Sequence, residues 1–410
     1  MFSDLFSRAL SSRNYRLYFA GQFISLAGTW MQQIAMAWLA YRLSSSALVL
    51  GVVGFASQIP VLLLGPVTGV WTDRYDRRRI LLVTQTLAML QALVLAALAF
   101  RHEASPAALV ALAFVLGCVN ALDVPARQAF VSQLIEDRED LPNAIALNAL
   151  LMNVTRFLGP ALAGFAVAAI GEAWCFVLNA ASYLAVLLAL LAIDARPNPL
   201  QKAPVGEAFR AALAHVRGMP DVLACLLLVA TISLLVTPYA VMMPLFAREI
   251  FGGDARTYGL LIASAGGGSL AAALYLAGRK GADGLFRLVS LAAAAGGAAL
   301  ACFALNPWLP LAFPVAMAIG FSVILTVAGS NTHIQTRVGD AHRGRVMAIF
   351  SMAFLGIAPL GHLAVGGLSH AIGVRPVLAC SGVAMFIVAL ALGRRMRAGT
   401  RPAAPERQTG

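Results

Sequence analysis

Few side chains in this sequence sit where they could do chemistry, and those that do are charged rather than nucleophilic. The six histidines, His102, His215, His333, His342, His362 and His370, are scattered. No G-x-S-x-G or H-E-x-x-H pattern occurs, and Gly266-Gly267-Gly268-Ser269 lacks the lysine that a phosphate-binding loop needs. The five cysteines lie in apolar runs without C-x-x-C spacing. They read as buried free thiols, with neither a disulfide framework nor a zinc site. A membrane-embedded enzyme is therefore the distant alternative, an ATP-driven pump is disfavoured, and no cofactor or metal is expected. What remains is proton and ion-pair chemistry. Of the 18 acids, Asp123 is the one placed inside an apolar stretch, with Arg127 one helical turn later. Burial raises a carboxyl pKa toward the working range and a neighbouring guanidinium lowers it. Such a pair can hold or release a proton, and His333 is the reserve candidate. Arg156 also lies mid-stretch, where a charge costs at least about 2.5 kcal/mol and is functional by default.

The elements that must position these residues follow from composition. The chain has 410 residues, 60% hydrophobic and only 12% charged, against about 25% charged in an ordinary soluble domain. An aqueous globule could not cover its surface with polar groups, and disorder needs far lower hydrophobicity. A bilayer core about 30 Å thick takes about 20 apolar residues of helix. The sequence offers twelve such stretches, six between residues 17 and 193 and six between 221 and 393. The Lys and Arg residues gather in alternate loops; only Arg42, Arg101, Arg248, Arg256 and Arg375 fall in the opposite set, and Arg156 within a span. By the positive-inside rule both termini are cytoplasmic, and the net charge of +12 is a topology signal, with no nucleic-acid partner implied. The first sixteen residues carry Arg8, Arg13 and Arg16 without a small-residue cleavage site, so the first span is expected to be retained.

Gly164 and Gly171 recur half a chain later as Gly366 and Gly373, and Gln133 to Asp137 is echoed by Gln335 to Asp340. A six-helix unit used twice keeps its orientation, so the copies relate by an axis along the membrane normal. The expected fold is an all-α membrane protein: twelve transmembrane helices in two six-helix bundles related by a pseudo-twofold axis. The bundles occupy residues 1–193 and 220–398. A cytoplasmic linker, 194–219, carries Phe209, Leu213 and Val216 at the spacing of a short amphipathic helix. Residues 399–410, with Pro402 and Pro405, read as a disordered tail.

Between the second and third stretches the chain reads Gly69-Val-Trp-Thr-Asp73-Arg74-Tyr-Asp-Arg77-Arg78-Arg79. This resembles the G-x-x-x-D-R-x-x-R-R/K loop signature of the major facilitator superfamily, from whose common pattern it differs at Trp71 and Asp76. The stretches Asn14 to Gln22, Gly28 to Gln32, Asp123 to Gln128 and Arg343 to Ala348 are similar to the branch of enterobactin exporters and macrolide-type drug efflux proteins. The resemblance implies a monomeric secondary transporter of the bacterial inner membrane, exporting a small amphipathic drug or siderophore, with protons as the coupling ion. A lysophospholipid or other lipid cargo is the alternative.

In the loop, Gly69 would let two helices close at the cytoplasmic end. Asp73 would cap the helix opening near Arg343 to Val346, and Arg77 would reach Asp123, while Arg74 and Arg78 add to the basic cluster. Asn153-Val-Thr-Arg156-Phe-Leu-Gly159-Pro160 resembles the superfamily's Gly-Pro motif of antiporters, and Pro160 removes a backbone donor to give a pivot. Spans one, four, seven and ten line the central cavity in that superfamily. The resemblance therefore makes Gln22, Thr29, Trp30, Gln33, Asn120, Thr237, Tyr239, Thr326 and Asn331 candidate substrate contacts.

Overall fold

A computed structural model of the chain describes residues 9–135, 138–193, 216–279, 281 and 284–399, and every regular element among them is helical. We number them α1 Arg13–Ser44, α2 Ala47–Arg74, α3 Arg77–Phe100 and α4 Pro106–Val131. A short 3-10 turn, Arg138–Asp140, leads into the run Leu141–Ala192, which breaks at Gly171 into α5 (141–170) and α6 (172–192). α7, Pro220–Ile250, is assembled from Pro220–Leu235, Tyr239–Leu245 and a π turn, Phe246–Ile250. α8 is Ala255–Gly278, α9 Leu285–Leu305 and α10 Leu309–Arg337. α11 joins Asp340–Ser351, a π turn Met352–Gly356 and Ala358–Ile372, and α12 is Val374–Gly399. The amphipathic stretch from Phe209 to Leu213, the acid at Asp137 and the tail 400–410 lie outside the described residues.

Local chemistry sets the helix ends. Ser105 caps α4 by accepting from the Ala108 amide, with Pro106 at the first helical position, where its missing N–H costs nothing. Asp254 caps α8 through the amides of Arg256 and Thr257. Asp76 caps α3 through the Arg79 amide at 3.0 Å, so this departure from the common loop pattern has a local use. Gly171 turns with φ 81° and Gly373 with φ 89°. A side chain would be strained at both, and the half-chain echo read in the sequence reappears as one backbone geometry used twice.

Among the described residues, 10 helices are long and apolar enough to cross a membrane. The 52-residue run Leu141–Ala192 counts once among them. α1, with 32 residues but Gln22, Gln32 and Gln33 along it, is outside that set. The cysteines are all free, yet only Cys175 and Cys225 are buried; Cys302 and Cys380 sit on the outside of the bundle. Inside an apolar run a thiol is as compatible with a lipid-facing position as with a core one.

Two crossings join residues before 194 to residues after 215. A Cβ on Gly164 of α5 would lie 2.5 Å from the Ala255 carbonyl oxygen and 2.9 Å from Gly259 Cα on α8. A Cβ on Gly366 of α11 would lie 2.7 Å from Gly51 Cα on α2. Both crossings sit at the end away from Arg74 to Arg79. Two further contacts close that end: Tyr41 Oη donates to Glu249 Oε1 at 2.9 Å, and the rings of Trp38 and Tyr258 stack at 6.4 Å. At the arginine-rich end, hereafter the basic end, a Cβ on Gly65, Gly69, Gly339 or Gly344 would meet nothing among the described residues within 4 Å. Among the described residues the close glycine contacts between the two halves thus lie away from the basic end.

Candidate functional site

α4 carries Asp123 and Arg127 one turn apart, on the side of the helix that meets α3. Asp123 is 1% exposed. Its Oδ1 accepts from Thr84 Oγ1 at 2.8 Å and Gln85 Nε2 at 2.7 Å, both on α3, and its Oδ2 accepts from Arg127. Arg127 also donates to Gln22 Oε1 of α1 at 3.1 Å. The carboxylate thus has three side-chain donors, the arrangement that lets a charge be buried. Arg127 is the expected partner, but Arg77 does not reach Asp123. It donates instead to the Ala129 carbonyl at 3.2 Å, because the start of α3 lies beside the last turns of α4, beyond Asp123.

The rest of the loop serves helix ends. Arg78 donates to the carbonyls of Leu190 and Leu191 at 2.7 and 2.9 Å, satisfying the last turn of α6 where cations are favoured. Arg74 is exposed at the end of α2, and a Cβ on Gly69 would meet nothing among the described residues within 4 Å. The side chain of Asp73, in the last turn of α2, lies outside the described set. The helix expected to open near Arg343 begins earlier, at Asp340 with Gly339 as its cap residue, so Arg343 to Val346 lie within its first two turns.

Above this network runs a buried amide chain that the sequence reading missed. Gln91 of α3 donates to the Leu112 carbonyl at 3.1 Å, Gln32 of α1 donates to Gln91 at 2.9 Å, and Asn179 of α6 donates to Gln32 at 2.8 Å. The signal was available: amides within apolar spans pair across helices, at about 0.6–2 kcal/mol each. In the other half, Asp221 at the start of α7 accepts from Arg337 at 2.7 Å and from His333 at 3.1 Å, both on α10. His333 was singled out from sequence, whereas Asp221 and Arg337 were not.

Pro160 and Gly159 are buried in α5, and Gly159 lies under Trp30, whose Cδ1 would stand 2.4 Å from an added Cβ. Pro160 has no N–H for the carbonyl of Arg156, four residues earlier. That carbonyl turns to Gly266 of α8, where a Cβ would lie 2.3 Å from it. The Arg156 side chain is exposed, and neither Asn153 nor Asn179 supports it. Asn153 donates to Ala149 and Asn179 to Gln32.

The remaining candidates divide. Gln33 is exposed, Trp30, Asn120, Thr237 and Asn331 are partly buried, and Thr29 donates to the Ser25 carbonyl of its own helix. Asn331 accepts from Gln335 at 2.5 Å. Thr326 is fully buried and donates to the Ser322 carbonyl, and Tyr239 packs edge-on against Phe303 in the core. Neither presents to an accessible surface, since their faces of α10 and α7 are covered by neighbouring helices. Gln22 is likewise buried, occupied by Arg127. Among the described residues no group of three or more His, Cys, Asp or Glu side chains gathers that could hold a metal.

Comparison with known proteins places this geometry. The family model described as transmembrane secretion effector matches residues 7–404. The chain is 24% identical over 381 residues to a staphyloferrin A transporter of Staphylococcus aureus, covering 92% of this chain and 94% of that one. It is 26% identical over 383 residues to an enterobactin exporter of Citrobacter koseri, covering 92% and 90%. Its fold matches a bacterial homolog of the human lysosomal transporter Spinster, solved inward-facing and unoccupied. The TM-score is 0.71 at 15% identity, over 96% of this chain and 98% of that one.

Proposed function

Since the chain belongs to the transmembrane secretion effector family of the major facilitator superfamily, and is a transporter rather than an enzyme, we propose that it exports a small amphipathic molecule by alternating access. The cargo is a siderophore or drug, the coupling ion a proton, and the working unit a monomer in the bacterial inner membrane. In this reading Leu141–Ala192 makes two passes and α1 another, which with the other spans gives twelve, six in 1–193 and six in 220–398. The linker 194–219 and both termini are cytoplasmic, as is the basic end, which therefore stands open to the cytoplasm.

The observation that carries the proposal is the asymmetry of the joint between the two halves. The glycine crossings hold them together at one end, while at the other a Cβ on Gly65, Gly69, Gly339 or Gly344 would meet nothing among the described residues. Export by alternating access requires a second state with the ends exchanged. In that state Gly69, Asp73 and Arg74 would meet the start of α11, and the Asp123–Arg127 pair would exchange its guanidinium for a proton.

The test is accumulation in inverted membrane vesicles energised by a pH gradient, with a catecholate siderophore, a hydroxycarboxylate siderophore, a macrolide and a lysophospholipid as the panel. Uptake of one of the first three, abolished by a protonophore, is expected. Gradient-independent movement of the lysophospholipid alone would sink proton-coupled drug or siderophore export.

A further inference from the structure

Resting on the transport reading, we propose that Arg156 is the anion-recognition residue of the central space, so that the exported molecule carries a carboxylate, or a like anionic oxygen group, on a flat apolar body. The first support is direction. Helical spacing puts residues 156, 160, 163 and 167 on one face of α5 and residues 158, 162 and 165 on the other. Leu158, Leu162 and Phe165 are exposed, the stripe expected toward lipid, while Pro160, Ala163 and Val167 are buried. Lower on α5 the buried residues are Ala144, Leu147, Leu151 and Thr155, and Arg156 is exposed with Ala149 and Met152 on the opposite side, the side flanked by Gly159 against Trp30 of α1 and Gly164 against α8. Its guanidinium therefore looks into a space inside the protein. Above it α5 is packed again, at Ala163, Gly164 and Val167.

The second support is charge. The acids buried or half-buried along the spans are already matched: Asp123 with Arg127, Asp221 with Arg337, Glu172 with Arg42, and Glu249 with Tyr41. Arg156 accepts no such match. Among the described residues no side chain or carbonyl takes a hydrogen bond or an ion pair from it. A guanidinium presents five donors in a fork that fits a carboxylate in bidentate fashion. Keeping it unmatched inside a membrane protein is costly, and an anionic cargo is the group that removes the cost during transport.

The third support is the company it keeps. Trp30 stacks on α5 at Gly159, one turn above Arg156. Phe23 and Gln33 are exposed on the face of α1 turned away from the Gly21 and Gly28 contacts with α6. Aromatic surface beside a single cation suits a planar organic anion better than a cation, which Arg156 would repel.

Binding to the purified full chain tests this, with 1-naphthoate and its neutral match 1-naphthamide as probes, titrated calorimetrically in phosphatidylcholine nanodiscs. Naphthoate is expected to bind at least tenfold more tightly, about 1.4 kcal/mol. Arg156→Gln should bring the two probes within about twofold, and Arg156→Lys should keep part of the preference because the charge stays while the fork is lost. Equal affinities in the unmodified chain, no saturable naphthoate binding, or a preference that survives Arg156→Gln would each overturn the proposal. Loss of naphthoate binding on adding phosphatidylglycerol would assign the guanidinium to a lipid headgroup and overturn the small-molecule assignment. Gradient-driven transport of a panel compound without any anion preference would sink this inference alone. Anion binding with no transport of any panel compound would sink the transport reading alone.

Discussion

At the residue scale, Asp123 ties α3 to α4 and, through Arg127, to α1, and in the proposed mechanism it is the group that takes the proton. Its three donors come from α3 and from its own helix, and Arg127 carries the link onward to α1 through Gln22. Removing one partner from a buried pair leaves an uncompensated charge, a loss of about 3–5 kcal/mol. Asp123→Asn keeps the shape but ends the exchange between guanidinium and proton. Gradient-driven uptake should vanish in inverted vesicles, while exchange at equal concentrations on both sides survives and membrane insertion is unchanged. Uptake at the normal rate in that variant would remove Asp123 from the coupling step. The amide chain behaves differently, since it carries no charge. Gln91→Leu leaves the Gln32 amide nitrogen without its acceptor and the Leu112 carbonyl without its donor, so a stability loss of about 1–3 kcal/mol is expected, read as a lowered thermal midpoint in detergent with the coupling ratio unchanged.

At the element scale, the α5–α8 pair shows why the Gly-Pro segment needs glycines across from it as well as within it. Pro160 frees the Arg156 carbonyl, and Gly266 allows α8 to lie against it; Gly259 does the same for the Pro160 carbonyl. A carbonyl facing a glycine backbone at this range gains a weak C–H···O contact and close dispersion contact. Gly164→Val would push a side chain into the Ala255 carbonyl at 2.5 Å, a backbone atom that cannot step aside. That variant should transport at least tenfold more slowly and stand less time closed at the end opposite the arginines. The readout is the rate at which a cysteine placed at Tyr258 reacts with a thiol reagent, in a background lacking the native cysteines. An unchanged labelling rate and normal transport would show that the crossing is dispensable. Gly171 and Gly373 belong to the same scale: each lets a helix turn sharply in left-handed backbone and enter the next, so a β-branched residue there should lower the folded yield.

At the scale of the whole molecule, the placement of the close glycine contacts away from the basic end implies where solvent enters. A cysteine at Gly69, where a Cβ would meet nothing among the described residues within 4 Å, should react rapidly with a membrane-impermeant thiol reagent added to inverted vesicles. A cysteine at Glu103, in the loop between α3 and α4, should react only in right-side-out vesicles. The reverse pattern would invert the proposed orientation. Cys302 and Cys380 must be replaced first, since both are exposed. Cargo of the expected class should slow labelling at Gly69 if the central space closes below it as the gate exchanges ends.

Much of this protein was legible in the chain. Runs of about 20 apolar residues become helices in a membrane, because a helix satisfies its own polar groups there and the alternative, a closed barrel, uses strands of about 10 alternating residues. The helix ends accordingly fall within a few residues of the apolar stretches, α10, α11 and α12 excepted, where polar residues extend the helix beyond the apolar span. The facilitator loop between α2 and α3 and the repeated glycines were equally readable, since special backbone geometry leaves a residue-type signature. Arg156 stood out because a mid-span charge is rare. Partner choice was not legible. Whether Arg77 or Arg127 meets Asp123, whether Thr326 or Gln33 reaches open space, and whether Cys302 faces core or lipid all depend on helix rotation and on which helices abut. A side-chain direction turns by 100° per residue, so a small rotation of a helix exchanges its buried and open faces without changing a letter of the sequence. Only the packed arrangement, with its paired acids and glycine crossings, decided that Asp123 was matched and Arg156 was left open.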